Sequence, residues 1–282
     1  MERGKNLYLW VFLTVVLCGL SLAETARAET VKIGGTGFGL GVMKILGQTF
    51  EKSHPGEKIE VIPSLGSAGG IKALLHGALN IAISGRPLKP AESGEGIEAK
   101  AFTRSPFIFI VNKSVAQKGI TLQELEKIFR GEMLAWPGGA RIRPVLRPDT
   151  DTVTKVVRSL SSGMDQAITL ATSREGMILA ITDQDSARIV EKTPGALAAG
   201  TLTQMYSERR QVGILSFNGT VPSVKALRDG VYPLSIPLYL VTPENIGKTS
   251  RKFLAFLHSS EGSKILTENG NLVVGTPDNG AP

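Results

Sequence analysis

The chain is poor in the residues that most often carry covalent or metal chemistry. It has one cysteine, Cys18, which lies in the N-terminal apolar run. The remainder of the chain therefore has no disulfide and no thiolate metal site, and must be stable from its packed core alone. There are three histidines, His54, His76 and His258, widely separated in sequence, a poor basis for a zinc cluster or a histidine-centred triad. No G-x-S-x-G, G-x-G-x-x-G or G-x-x-x-x-G-K-[ST] pattern occurs, which removes the sequence signals for a nucleophile elbow, a dinucleotide fold and a nucleoside-triphosphate loop. The net charge is +7, but it is scattered. Without a Lys/Arg run the chain lacks the footprint of a nucleic-acid binder, and the excess charge is free to attract a small acidic ligand or surface.

The longest uncharged, strongly apolar run is Leu7–Leu22, preceded by Arg3 and Lys5 and followed by Ala26-Arg27-Ala28. This is the layout of a secretory signal peptide over residues 1–28, and it predicts a periplasmic or secreted product. A retained membrane anchor is the competing reading, but the run is shorter than the ~20 residues a spanning helix needs. A lipid attached at Cys18 would call for a small residue before it, and Leu17 stands there.

What is present is an alternation of strands and helices. "TVKIGG", "EKIEVIP" and "NIAIS" read as strands, separated by helices over "LGVMKILGQTFEK" and "SAGGIKALLHGAL". That order is the pattern of a parallel sheet with helical crossovers. "SPFIFIVNKS" follows as an apolar strand, and then a helix capped by Thr121 and Glu124 and stopped by Gly131. "RIRPVLR", "QVGILSF" and "LSIPLYLVT" read as strands; "DTVTKVVRSL", "QAITLAT" and "EGMILAITDQ" read as helices, as does the C-terminal "SRKFLAFLHSSEGSKILTENG". The fold class is α/β, and a chain of this length suits two parallel-sheet lobes better than one.

Three loops share one design: "GGTGFG" (34–39), "SLGSAGG" (64–70) and "SGR" (84–86). Each follows a strand, is small and hydroxyl-rich, and opens a helix or turn. Backbone N–H groups and a helix N-terminus at such places suit an oxyanion. Any one of them could equally be a tight turn with a capping hydroxyl; three alike at successive strand ends favour an anion site. A fourth loop, "RPDTDT" (147–152), puts a cation, two carboxylates and two hydroxyls before the apolar series Val153, Val156, Val157 and Leu160. A calcium loop of the EF-hand kind would need glycine and glutamate where Thr154 and Leu160 stand. A helix start capped by Asp151 or Thr150 fits in any case.

These loops, together with "TLQELEKIFRGEMLAWPGG" and "YPLSIPLYLVT", resemble the periplasmic substrate-binding proteins of ABC transporters, in the phosphate-binding-protein-like, type II branch. The resemblance implies two lobes joined by two crossing strands, with lobe I formed by 29–107 and 235–282 and lobe II by 108–234. It implies a small anion shut in the cleft, an ABC permease as membrane partner, a monomer, no cofactor, no metal and no enzymatic activity. Matched to the family pattern, the ligand-binding positions are Thr36, Gly37 and Phe38 in the first loop, Ser67 in the second, Ser84 and Gly85 in the third, and Arg147, Asp151 and Thr152 in the fourth. The match departs in two loops. Many relatives carry an aspartate where Gly85 stands, and in the fourth loop, where the family pattern is Arg-x-x-Gly-Ser-Gly-Thr, Thr150 and Thr152 stand for the glycines and Asp151 for the serine. A carboxylate about 4 Å from another unit negative charge is repelled by ~4 kcal/mol at an effective dielectric of about 20. Phosphate binding therefore requires Asp151 to turn away, be neutralised by Arg147 or another base, or be protonated. An organic anion that donates to Asp151, and an interaction module without a ligand, are the alternatives these departures leave open.

Overall fold

The computed structural model describes residues 29–274; the signal-peptide reading falls on 1–28 and lies outside them. Strand β1 (Glu29–Gly35) pairs in parallel with β2 (Glu57–Val61) and β3 (Ile81–Ser84). Parallel neighbours need crossovers, here supplied by helices α1 (Leu40–Ser53) and α2 (Gly66–Leu75). All four residues of β3 are buried, which is why it reads as a continuous rather than an alternating apolar run.

The two lobes meet on a single long strand, β4 (Ile97–Val111). Its first part, Ile97–Pro106, pairs antiparallel with β10 (Ser235–Pro243), which in turn pairs with β3. Its last part, Phe107–Val111, pairs antiparallel with β8 (Ala196–Thr201) and β9 (Gly213–Phe217). From β8 the second sheet continues in parallel through β6 (Arg143–Leu146) to β7 (Ile178–Leu179), while β5 (Gly119–Ile120) pairs with β9 and β11 (Leu272–Val273) with β4. At the crossing, the Tyr232 hydroxyl donates to the Phe107 carbonyl at 2.7 Å, and the Phe107 N–H donates to the Leu234 carbonyl at 3.1 Å. Burial pushes the Tyr232 phenol pKa up, which keeps it a donor.

Helices cover both sheets. Phe50 of α1 meets Phe253 of α9 (Lys248–Leu257) edge-on, with ring centroids 5.3 Å apart; both rings are fully buried, a burial worth about 1.5–3 kcal/mol each. Helix α3 (Leu122–Arg130) has the capping box expected of it, with the Glu124 N–H donating to Thr121 Oγ1 at 3.2 Å and the Thr121 N–H to Glu124 Oε2 at 2.7 Å. Helices α4 (Thr152–Arg158) and α5 (Ser162–Thr172) are separated by the Ser161 cap. Helices α6 (Asp183–Lys192), α7 (Leu202–Ser207) and α8 (Val224–Arg228) complete the second lobe, and α10 (Ser260–Glu268) closes the chain.

The stretch "EGMILAITDQ" departs from its expected helix. Ile178 and Leu179 pair with Val145 and Leu146 of β6, and the Ala180 N–H donates to the Leu146 carbonyl at 2.9 Å. Sheet pairing therefore claims the apolar residues. The helix starts only at Asp183, behind Thr182, whose hydroxyl accepts from the Asp185 N–H.

Candidate functional site

The four loops converge where the lobes face each other. In the first, Gly35 has φ 136° and lies so close to β3 that an added Cβ would sit 2.0 Å from the Ile83 carbonyl oxygen; only glycine fits. The Thr36 N–H then donates to that same carbonyl at 2.9 Å. Gly37–Gly39 form a 3-10 turn leading into α1.

The second and third loops are tied together. Ser67 Oγ accepts from the Gly85 N–H at 3.0 Å and lies 3.3 Å from Thr152 Oγ1, a hydroxyl pair that joins the lobes. The Ser84 hydroxyl, in contrast, is turned into its own loop, where it donates to the Arg86 carbonyl at 2.7 Å and accepts from the Arg86 N–H at 3.2 Å. Gly85 is held small by its surroundings. An added Cβ would lie 2.9 and 3.1 Å from the Phe38 ring and 3.2 Å from the Thr152 methyl. A larger residue there would have to push Phe38 out of the core.

The fourth loop gives a direct answer on Asp151. Its Oδ1 accepts from the Val153 N–H at 2.9 Å, capping α4, and its Oδ2 accepts from Arg147 Nη2 at 2.7 Å. The carboxylate is both cap and counter-ion, so the neutralised state is the one adopted. Arg147 itself has a side chain only 6% exposed. Its Nη1 makes a long contact of 3.4 Å with the Ala180 carbonyl, and its buried Nε has no hydrogen-bond partner among the described residues. A buried donor left unpaired costs about 1–3 kcal/mol.

Two residues of the site were not singled out in the sequence: Asp183 and Gln184, at the start of α6. Asp183 is 7% exposed and lies 3.6 Å from Arg147 Nη2. It reaches across to the first loop, where the Phe38 N–H donates to it and an added Cβ on Gly37 would lie 2.5 Å from its Oδ2. Gln184 Nε2 donates to the Gly37 carbonyl at 2.9 Å and to Glu208 Oε1 at 2.6 Å. The two side chains thus clasp the first loop from the opposite lobe. Burial pushes the Asp183 pKa up to about 6, against the pull of Arg147 and the Phe38 N–H and with the help of the Asp151 and Glu208 carboxylates. The only available signal was the polar cluster "TDQD" following a strand-like run.

A cleft of about 450 Å³ opens beside this contact, lined by Ser64, Ser67, Arg86, Lys89, Arg147, Asp151, Thr152 and Lys155 among others. A second, of about 570 Å³, adjoins it and is lined by Lys44, Gln184, Glu208 and Arg210 among others; Ser64 and Thr182 border both. Both fall in the size range of small-molecule sites. Of the sequence-named residues, Ser67, Arg147, Asp151 and Thr152 line the first cleft, Gly37 and Phe38 lie under the Asp183–Gln184 clasp, and the Ser84 hydroxyl faces away into its loop. Among the described residues no group of three or more His, Cys, Asp or Glu is placed to hold a metal ion.

The model of the PBP superfamily domain matches residues 21–261. The chain belongs to this superfamily. Over 265 residues it is 29% identical to the phosphate-binding protein PstS of Bacillus subtilis, covering 89% of this chain and 83% of that one. Over 286 residues it is 26% identical to the phosphate-binding protein PstS of Borreliella burgdorferi, covering 96% and 100%. Among solved structures, a putative phosphate ABC transporter substrate-binding protein with bound phosphate from Clostridium perfringens superposes with a TM-score of 0.73 at 20% identity, over 88% of this chain and all of that one. That likeness establishes a shared two-lobed superfamily fold.

Proposed function

We propose that this protein is an extracytoplasmic solute-binding protein that captures phosphate or a similar small oxyanion between its lobes and delivers it to an ABC permease. The observation that carries the reading is Arg147: a cation buried at the meeting point of four loops with a donor still unpartnered. Such an arrangement is costly unless an acceptor completes it. Thr36, Gly37, Phe38, Ser67, Gly85, Asp151 and Thr152 would frame the anion, with Ser84 holding the third loop in shape through its bonds to Arg86. The PstS relatives support phosphate as the ligand class. On the same reading the protein acts as a monomer outside the cytoplasm, without cofactor and without catalysis. Lobe I takes 29–107 with 235–282, and lobe II 108–234. No helix among the described residues is long and apolar enough to cross a membrane.

The test is isothermal titration of anion-stripped protein with phosphate, sulfate, molybdate and tungstate. Binding of at least one is expected; no heat with any of them ends the oxyanion reading. A second reading, an organic anion whose amine or hydroxyl donates to the site, draws on the two carboxylates Asp151 and Asp183 around one arginine. It would gain if the protein ignored all four oxyanions and bound an amine-bearing acid.

A further inference from the structure

The carboxylates around the first cleft are all claimed, and two of its lysines are left over. Four cations border the cleft, Arg86, Lys89, Arg147 and Lys155, against one carboxylate, Asp151. Asp151 pairs with Arg147 and Glu92 with Arg86, while Asp149 and Asp165 both pair with Arg158. Lys89 and Lys155 are exposed. Glu92 feels the Lys89 charge only through space, and among the described residues neither ammonium has a carboxylate within ion-pair distance. Unused donors therefore stand at two depths of one cleft. Inside is the buried Arg147 with its unpartnered Nε; toward solvent are the two ammoniums.

The backbone fixes where these lysines start. The Glu92 carboxylate accepts from Arg86 Nη1 and Nη2 at 2.7 Å each and from the Lys89 N–H at 2.8 Å. The ion pair that occupies both Nη atoms of Arg86 thus also holds Lys89 beside the cleft. Lys155 lies three residues beyond Thr152 on α4, so it rises from the same helix face one turn further along, with Cβ atoms about 5–6 Å apart. Thr152 Oγ1 itself stands 3.3 Å from Ser67 Oγ. One helical turn therefore separates the Ser67–Thr152 hydroxyl pair from the root of Lys155, a step comparable with the length of a diphosphate.

From these two sets of donors we infer that the cleft has a second anionic subsite at Lys89 and Lys155, and that it binds an anion with two charged groups, a diphosphate or a phosphonocarboxylate, more tightly than a single oxyanion. The inference rests on the oxyanion reading above, which supplies the inner group: its oxygens take Arg147 Nε and the Ser67 and Thr152 hydroxyls. The outer group takes the ammoniums, which serve a phosphoryl or carboxylate oxygen as mobile point charges. The space agrees. At ~30 Å³ per water, a cleft of about 450 Å³ holds on the order of fifteen waters, of which the five heavy atoms of one phosphate replace roughly a third. A second group fills part of the remainder and brings negative charge to the side of the cleft that has none of its own.

The test is calorimetric titration of the anion-stripped protein with phosphate, pyrophosphate and phosphonoacetate at about 0.15 M salt, where exposed charges beyond ~8 Å are largely screened. At least one of the two-group anions should bind more than about fivefold tighter than phosphate; which of them does so tells whether the outer group is phosphoryl or carboxylate. Replacing both lysines, Lys89→Gln with Lys155→Gln, should bring that ratio close to one. A control removes the same charge elsewhere: Lys58→Gln with Lys127→Gln alters two exposed lysines that border neither cleft, and should keep the ratio. Both pairs lie on the surface, so folding is not at stake. A gain below about fivefold for both two-group anions, or a ratio that the remote pair lowers as much as the cleft pair, overturns the inference and leaves the oxyanion function standing. Absence of heat with phosphate, sulfate, molybdate, tungstate and both two-group anions removes both.

Discussion

Two arginines, one on each lobe, stand just beyond the end of a strand beside the same cleft, and they are bonded very differently. Arg86, past β3, is saturated: Nη1 and Nη2 donate to the two Glu92 oxygens at 2.7 Å each, and Nη1 also donates to the Pro87 carbonyl at 2.8 Å. The pairing holds the Glu92 carboxyl below the usual carboxylate range. Arg147, past β6, is more deeply buried yet less satisfied, with one short ion pair, a weak carbonyl contact, a second carboxylate at 3.6 Å and an unpartnered Nε. Glu92 completes Arg86 and pins a loop. Arg147 has counter-charge from two directions but incomplete hydrogen bonding, the state expected of a residue whose last partner is not part of the chain.

Replacing each arginine tests this contrast most strongly at Arg147. Arg147→Met leaves Asp151 and Asp183 buried without their cation, and removal of one side of a buried pair costs about 3–5 kcal/mol. The thermal midpoint should drop by roughly 10 °C, and phosphate affinity by at least about a hundredfold, as read by calorimetry. Unchanged affinity would place the anion elsewhere.

The next effect concerns Asp183 and pH. Its pKa is 3.8 in the unfolded reference and about 6 in the folded protein, so the folded state holds the proton more tightly. Below pH 4 both states are protonated and the residue is neutral for stability. As pH rises from 4 to 6 the unfolded chain ionises first and stability falls, by up to about 3 kcal/mol above pH 6. Asp183→Asn should remove that penalty: urea unfolding of the two proteins should agree near pH 4 and favour the Asn variant at pH 7. Equal stabilities at both pH values would mean Asp183 is not strained by its burial.

Asp151→Ser sharpens the comparison in the other direction by making Arg147 still less satisfied. Serine keeps the cap on α4 and frees Nη2, so phosphate affinity should rise by about tenfold. A fall would mark Asp151 as a ligand contact rather than an internal competitor. The smallest change is expected on the other lobe. Arg86→Gln should leave phosphate affinity within about threefold and cost about 1 kcal/mol of stability, since this pair is partly open to solvent.

The sequence made the β–α alternation, the Thr121–Glu124 capping box and the Asp151 cap readable, because each depends on residues only a few positions apart. The neutralisation of Asp151 by Arg147 was readable for the same reason: the two are four residues apart. Asp183 was not. Its partners Gly37 and Phe38 lie on the opposite lobe, and no spacing within "EGMILAITDQ" records that meeting. The same stretch reads as a helix because its apolar run is compatible with one; only the pairing with Val145 and Leu146 makes Ile178–Leu179 a strand. The Ser84 hydroxyl presents a third kind of failure. Its identity fits a donor loop, but its rotamer is set by the turn to Arg86, which composition does not encode.

The long strand β4 has a mechanical meaning. Pro106 is a ladder residue of one sheet and Phe107 of the other, so no slack loop separates the lobes at that crossing, and Tyr232 pins the returning chain to the same point. Relative motion of the lobes must be stored as torsion in a hydrogen-bonded strand, in the manner of a flat spring. Such a coupling resists sliding and permits a small rotation that restores itself, which favours repeated, reversible closure over wide opening.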